Sequence, residues 1–156
     1  MNKKIKILPL IISALIPLAV GFLSSLIVGD NFALFKSVEK PSFAPPSYLF
    51  GIVWTILYIL LGISFYLVKD TPECKENMCL HIYIINLFLN FFWSVIFFNY
   101  QAYLTAFFWI ILLWLSTIWL ILAFSKSSRL AGLLNVPYLL WITFAAVLNF
   151  SIYLLN

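Results

Sequence analysis

Five long apolar runs separated by short polar breaks constrain this chain more than any other feature. They cover about Ile5–Val28, Tyr48–Val68, Met78–Tyr100, Leu104–Phe124 and Leu130–Leu155. Each is close to the ~20 apolar residues that cross the hydrocarbon of a bilayer. The five acids (Asp30, Glu39, Asp70, Glu73 and Glu76) and the nine bases fall in the breaks or at the ends of the runs. The chain is 65% hydrophobic and 9% charged, with a mean hydropathy of +1.10. A water-soluble domain of 156 residues has no interior large enough for that much apolar surface, so the solvent is lipid. The expectation is an all-α membrane protein, a single five-helix bundle over residues 1–156, with membrane lipid as a constant partner.

The first run follows Lys3, Lys4 and Lys6, the order of charge and apolar stretch that a signal peptide also has. It is too long for an h-region, and Ser24-Ser25 is the only hint of a cleavage site, so it is read as a span. Basic residues set the orientation. Lys3, Lys4, Lys6, Lys69, Lys75, Lys126 and Arg129 lie on one side, against Lys36 and Lys40 on the other. That asymmetry predicts a cytoplasmic N-terminus and an outside C-terminus, in a multi-pass protein of the cell membrane. The net charge of +4 is a topology signal, and no nucleic-acid partner is read from it. Cys74, Cys79 and His81 do not supply a four-ligand set, so no metal is expected. The loop that holds the thiols is placed in the cytoplasm, where they stay reduced.

The chain is organised around Lys40–Tyr66, KPSFAPPSYLFGIVWTILYILLGISFY. Pro41, Pro45 and Pro46 hold the entry extended, and Pro46 or Ser47 starts a helix, where a missing N–H costs nothing. Gly51, Thr55, Tyr58 and Gly62 then share one helical face, with Trp54 on its flank. A small, notched face beside aromatic rings fits close packing on another helix, or the wall of a flat cavity.

In the first run Pro17, Gly21, Ser24 and Val28 form a narrow stripe that reads as a helix–helix seam, with a kink at Pro17. The first loop, Gly29–Ser47, is long and carries Phe32, Leu34, Phe35, Val38 and Phe43. It is expected to fold back as a lid, with Phe32, Phe35 and Phe43 as its aromatic contacts. The loop after the second run is short and charged and reads as solvated. Asn86, Asn90, Trp93 and Phe97 share one side of the third run. Amides in hydrocarbon turn inward, as interhelical glue or as the polar points of a cavity. The fourth run brings Trp109, Leu112, Ser116 and Trp119 near one face, with Trp114 elsewhere. Trp109 and Trp119 fit an interfacial belt, whereas Trp54, Trp93 and Trp141 lie too deep for one. In the fifth run Pro137, Trp141, Ala145 and Leu148, with Asn149 close by, suit a slot for a flat apolar guest.

KPSFAPPSYLFGIVWTILY, LFLNFFWSVIFF and PYLLWITFAAVLN, in this order across five spans, resemble the TspO/MBR family. Its members are the translocator proteins, also called peripheral benzodiazepine receptors or tryptophan-rich sensory proteins, and this chain looks like a bacterial one. The resemblance implies a five-helix bundle, usually a homodimer in bacteria. It also implies binding of porphyrins such as protoporphyrin IX, of sterols and of benzodiazepine-type ligands, and in some members light-dependent breakdown of porphyrin. No covalently bound cofactor is implied; protoporphyrin IX is ligand or substrate. Trp54 and Trp141 match the family's pocket tryptophans, and Asn90 and Trp93 its helix-three motif. Gly51, Val53, Ala145 and Leu148 match further pocket positions, and Tyr58 completes the expected wall. Two departures stand out. Phe43 replaces the usual tryptophan before the prolines, and Tyr153 lacks the following Lys or Arg of the sterol-recognition pattern.

Three function classes compete. A receptor or sensor for flat tetrapyrroles suits an aromatic pocket with a few polar points. A porphyrin-degrading enzyme would depend on light, on oxygen and on the porphyrin itself, with Trp54 and Trp141 as redox partners. The spans offer no acid–base pair or activated nucleophile. A transporter of lipophiles is the third class. Spans without Asp, Glu, Lys or Arg argue against ion coupling, and five helices do not split into equal inverted repeats.

Overall fold

The computed structural model describes residues 6–34, 37–75 and 78–156. In chain order these form α1 (Ile7–Val28), α2 (Asn31–Leu34), α3 (Ser47–Val68), α4 (Pro72–Lys75) and α5 (Met78–Ser94), which continues into a π-helical turn (Val95–Asn99). They are followed by α6 (Tyr103–Ser127), α7 (Arg129–Leu133) and α8 (Val136–Leu155). Among the described residues, five units are long and apolar enough to cross a membrane: α1, α3, α5 with its π-turn, α6, and α7–α8 together. The protein is therefore an all-α, multi-pass membrane protein. In hydrocarbon every peptide group must find its partner inside the segment, which leaves helices as the solution for these runs.

The spans pack in the ring order α1, α3, α7–α8, α6, α5 and back to α1. The interior is apolar and closely filled: Ile110, Leu113, Leu120 and Phe124 of α6 and Ile142 and Ile152 of α8 are wholly buried. Ile12, Phe22, Ile56, Phe108 and Leu140 stay exposed on the outer faces, where lipid replaces water. The seam between α1 and α3 is built on small residues, of which Gly21 belongs to the expected stripe, while Ser24 and Val28 of that stripe line open space instead. A Cβ on Gly62 would overlap the backbone of Ser13 and Ala14, and one on Gly21 would overlap the Tyr58 ring. The Lys6 N–H also donates to the Tyr66 hydroxyl (2.9 Å), which ties the start of α1 to the end of α3.

The punctuation follows the residue types. Gly29 ends α1 with φ +48°, a conformation L side chains rarely adopt, while its N–H returns to the Ser25 carbonyl. Pro46, extended at ψ 143°, releases the chain into α3 at Ser47, one of the two starts expected from the prolines. The third run does not remain α-helical to its end. It widens into the π-turn at Val95–Asn99, and Gln101 then takes a positive φ of 50° before α6 begins. The fifth run was expected as one continuous helix; it breaks at Leu134-Asn135. Pro137 has no N–H for the Leu133 carbonyl, and Asn135 bridges the gap by donating to Ser64 Oγ (2.9 Å) and the Ala131 carbonyl (2.8 Å).

Two further expectations are corrected. The loop after the second span is more than a solvated link. Cys74 is buried in α4 against α5 and α6, and Thr71 donates to Ser127 Oγ at 3.1 Å. Burial, together with a hydrogen bond to Cys79, pushes the Cys74 thiol up to about 12, so it stays protonated. The expected face of the fourth run also divides. Ser116 turns inward, while Leu112 and Trp119 face lipid, because the four positions straddle the edge of the buried arc. Trp109 is held by more than an interface, since its indole N–H donates to the Leu89 carbonyl at 2.8 Å.

Candidate functional site

A cavity of about 730 Å3 lies between α1, α3 and the C-terminal part of α5. It exists because the facing side of α1 is small: Gly21, Ser24, Ser25 and Val28 leave space that larger residues would fill. The opposite wall comes from Gly51, Trp54, Thr55 and Tyr58 of α3, and Trp93, Ser94 and Phe98 of α5 and its π-turn complete it. Phe22 and Tyr48, 63% and 71% exposed, border the opening between α1 and α3. Phe32 of α2 lies over the top, its ring 5.3 Å from that of Phe98.

Trp54 is the hub of the aromatic wall. Its ring centroid lies 5.6 Å from Tyr58, 6.1 Å from Trp93 and 6.0 Å from Tyr138. These separations are those of favourable tilted and edge contacts. Phe97 packs on Trp93 at 5.5 Å. Among the described residues no Lys, Arg, His, Asp or Glu lines the space.

Behind the wall runs a buried hydrogen-bond chain that fixes the rings. The Tyr58 hydroxyl donates to Asn90 Oδ1 (2.7 Å), and Asn90 Nδ2 donates to the Tyr138 hydroxyl (2.7 Å). Tyr138 in turn donates to Asn86 Oδ1 (3.0 Å), and Asn86 Nδ2 donates to Ser116 Oγ (2.9 Å) and Thr117 Oγ1 (2.8 Å). The Trp93 indole N–H donates to Asn149 Oδ1 at 3.2 Å, and Asn149 Nδ2 donates to the Tyr103 carbonyl at 2.8 Å. Four spans are thus tied together at the level of the cavity. In a low-dielectric interior such chains gain strength from being fully satisfied.

The TspO/MBR family model matches residues 13–155, which include nearly all of the five spans. A tryptophan-rich protein TspO from Archaeoglobus fulgidus is 41% identical over 151 residues, covering 96% of this chain and 98% of that one. A tryptophan-rich sensory protein from Cereibacter sphaeroides is 33% identical over 125 residues (78% and 76%), and a translocator protein from Sus scrofa 31% over 150 residues (94% and 89%). The chain belongs to the TspO/MBR family.

In this TspO/MBR protein the residues matched to the family pocket fall into three places. Gly51, Trp54, Tyr58 and Trp93 line the main cavity, and Asn90 stands directly behind it as the acceptor for Tyr58. Val53 and Trp141 instead border a shallow apolar groove of about 410 Å3 on the far side of α3. Ala145 and Leu148 lie under Phe50 and Trp93, where only about 10 Å3 remains. Phe50 is the partition: it lines the main cavity and sets its ring edge against Trp141 at 5.7 Å. The Trp141 indole N–H is buried without an acceptor among the described residues. Of the lid residues, Phe32 covers the cavity, Phe43 leans on Phe144 of α8 at 6.3 Å, and Phe35 lies outside the described residues.

Phe50, Tyr138 and Ser24 were not singled out as site residues by the sequence. Phe50 precedes Trp54 by one helical turn, and Tyr138 precedes Trp141 by three residues, so both spacings were readable. Ser24 reads from the sequence as a seam residue, since a small residue looks the same in a seam and at a cavity wall.

Proposed function

We propose that this protein is an integral membrane receptor or sensor that binds porphyrins, protoporphyrin IX in particular, and related flat lipophilic ligands in the cavity between α1, α3 and α5. The observation that carries the reading is the aromatic wall of Trp54, Tyr58, Trp93 and Phe98 facing small residues of α1 across about 730 Å3. That shape accepts a planar guest, and ring faces bind it by apolar contact. The words "sensory protein" and "translocator protein" in the names of two relatives accord with a ligand-responsive membrane role. A homodimer, and an N-terminus in the cytoplasm with the C-terminus outside, belong to the same reading. Purified protein titrated with protoporphyrin IX in the dark should show saturable quenching of tryptophan fluorescence. Quenching that never saturates would refute the reading.

Light-dependent breakdown of the bound porphyrin, with molecular oxygen as the oxidant, is the second reading. It is favoured by oxidisable rings in mutual contact at the cavity, Trp54 against both Tyr58 and Trp93. Illumination of the dark complex should then bleach the porphyrin band and yield a new product. A stable band under light, with binding intact, leaves the receptor reading alone.

A further inference from the structure

Resting on the porphyrin-receptor reading, we propose that Ser24, with Ser94 on the facing wall, forms a hydrogen-bonding subsite for one neutral polar group on an otherwise flat, apolar ligand. Ser24 is only 4% exposed and lines the cavity. Its hydroxyl makes no hydrogen bond to another described residue, which leaves the cavity as the place where its polar group can find one.

The neighbouring hydroxyls behave differently. Ser25 donates to the Phe22 carbonyl (2.7 Å) and Thr55 to the Gly51 carbonyl (2.7 Å), the ordinary way a hydroxyl is satisfied inside a membrane helix. A hydroxyl buried without such a bond costs free energy unless something in the cavity takes it up. Ser94 also lines the cavity without a hydrogen bond among the described residues, and it stands at the start of the π-turn. Asn99 Nδ2 donates to the Ile27 carbonyl (3.0 Å), which fastens the end of this turn to α1 just beyond Ser24. Widened π-turns of this kind recur at functional sites.

The chemistry of the occupant follows from what else is present. A hydroxyl both gives and accepts a hydrogen bond, so it serves an alcohol, an amide or a pyrrole N–H. Among the described residues no cationic side chain lines the cavity, so a carboxylate seated beside Ser24 would meet no described charge to pair. The acidic substituents of a porphyrin therefore stay at the opening by Ser47 and Tyr48, and the subsite reads only a neutral group.

Three matched tricyclic probes test this: anthracenemethanol, methylanthracene and anthracenecarboxylate, each titrated onto the full chain by energy transfer from tryptophan. The wild-type protein should bind the alcohol about three- to tenfold more tightly than the methyl compound, the usual net worth of one hydrogen bond. The carboxylate should bind weakest. Ser24→Ala should bring the alcohol and methyl compounds to equal affinity, whereas Ser24→Thr should keep the preference, with thermal melting showing that each variant is folded. Ser94→Ala should reduce the preference in part. Equal binding of alcohol and methyl compounds by wild type, a preference untouched by Ser24→Ala, tightest binding of the carboxylate, or no binding of any probe would overturn the proposal. Protoporphyrin IX titrated in parallel separates the two claims. Loss of porphyrin binding with the alcohol preference intact removes the porphyrin reading alone. Porphyrin binding without the preference removes the subsite alone.

Discussion

Gly62 of α3 packs directly on the Ser13 carbonyl of α1, the group that Pro17 leaves without its helical partner. Proline has no N–H for the carbonyl four residues earlier, and in lipid no water replaces it. A glycine brings its backbone close enough to cover that oxygen with a weak Cα–H contact. Gly62→Ala should therefore cost about 1–3 kcal/mol by forcing α1 and α3 apart, since the obstructing atoms are backbone. Gly51→Ala is the control, because a Cβ there meets nothing within 4 Å. Its effect should be neutral or slightly stabilising, and equal melting shifts for the two variants would refute the seam.

Asn90 joins Tyr58 to Tyr138, and both bonds are buried. Asn90→Leu keeps the volume and deletes the amide, which should lower stability by roughly 1 kcal/mol, the scale measured for interhelical hydrogen bonds in membranes. Release of the Tyr58 ring should also weaken protoporphyrin IX binding. A double-mutant cycle with Tyr58→Phe tests the link, because strictly additive losses would mean that the bond carries no coupling.

Trp54 lines the cavity, whereas Trp141 lies beyond Phe50. Trp54→Phe keeps a flat apolar wall and should cost about 1 kcal/mol of porphyrin binding, roughly fivefold. Trp141→Phe should leave binding nearly unchanged while Phe50 stands in place. If the indoles pass an electron to photoexcited porphyrin, Trp54→Phe alone should abolish degradation, and the Trp54→Phe, Trp141→Phe protein should behave the same. Full-rate degradation in the double variant would remove both from the chemistry. Phe50→Ala should open the partition and bring Trp141 within reach of the ligand, seen as added quenching that Trp141→Phe cancels.

Asn156 clamps the first loop from the end of α8. The Glu39 N–H donates to Asn156 Oδ1 (3.1 Å), and Asn156 Nδ2 donates back to the Glu39 carbonyl (3.0 Å). Phe32, in the same connection, covers the cavity. Asn156→Ala should raise the ligand off-rate several-fold and speed amide exchange at Glu39, with little change in melting temperature. Phe32→Ser should raise the off-rate through lost ring contact with Phe98. A lowered melting temperature with an unchanged off-rate would make the loop a structural cap instead of a lid.

The sequence alone determined the five spans, the all-α membrane class and the family, because lipid allows only one solution to an apolar run of that length and the three motifs are ordered along nearly the whole chain. It also placed Trp54, Trp93 and Asn90 inside the bundle, since indoles that deep and amides in hydrocarbon have to face inward. Tertiary structure decided which inward residues share a space. Periodicity assigns a residue to a face of its own helix, but the partner of that face depends on how neighbouring helices rotate and cross. For that reason Trp54 and Trp141, alike in sequence, came to lie on opposite sides of Phe50. Proline showed where helices would be disturbed, yet the cover that Gly62 gives Ser13 and the bridge that Asn135 makes to Ser64 required the packed bundle. Ser24 is the sharpest case. Its size reads the same in a seam and in a cavity wall, and only the packed bundle, which sets it on the cavity lining with no hydrogen-bond partner among the described residues, distinguishes them.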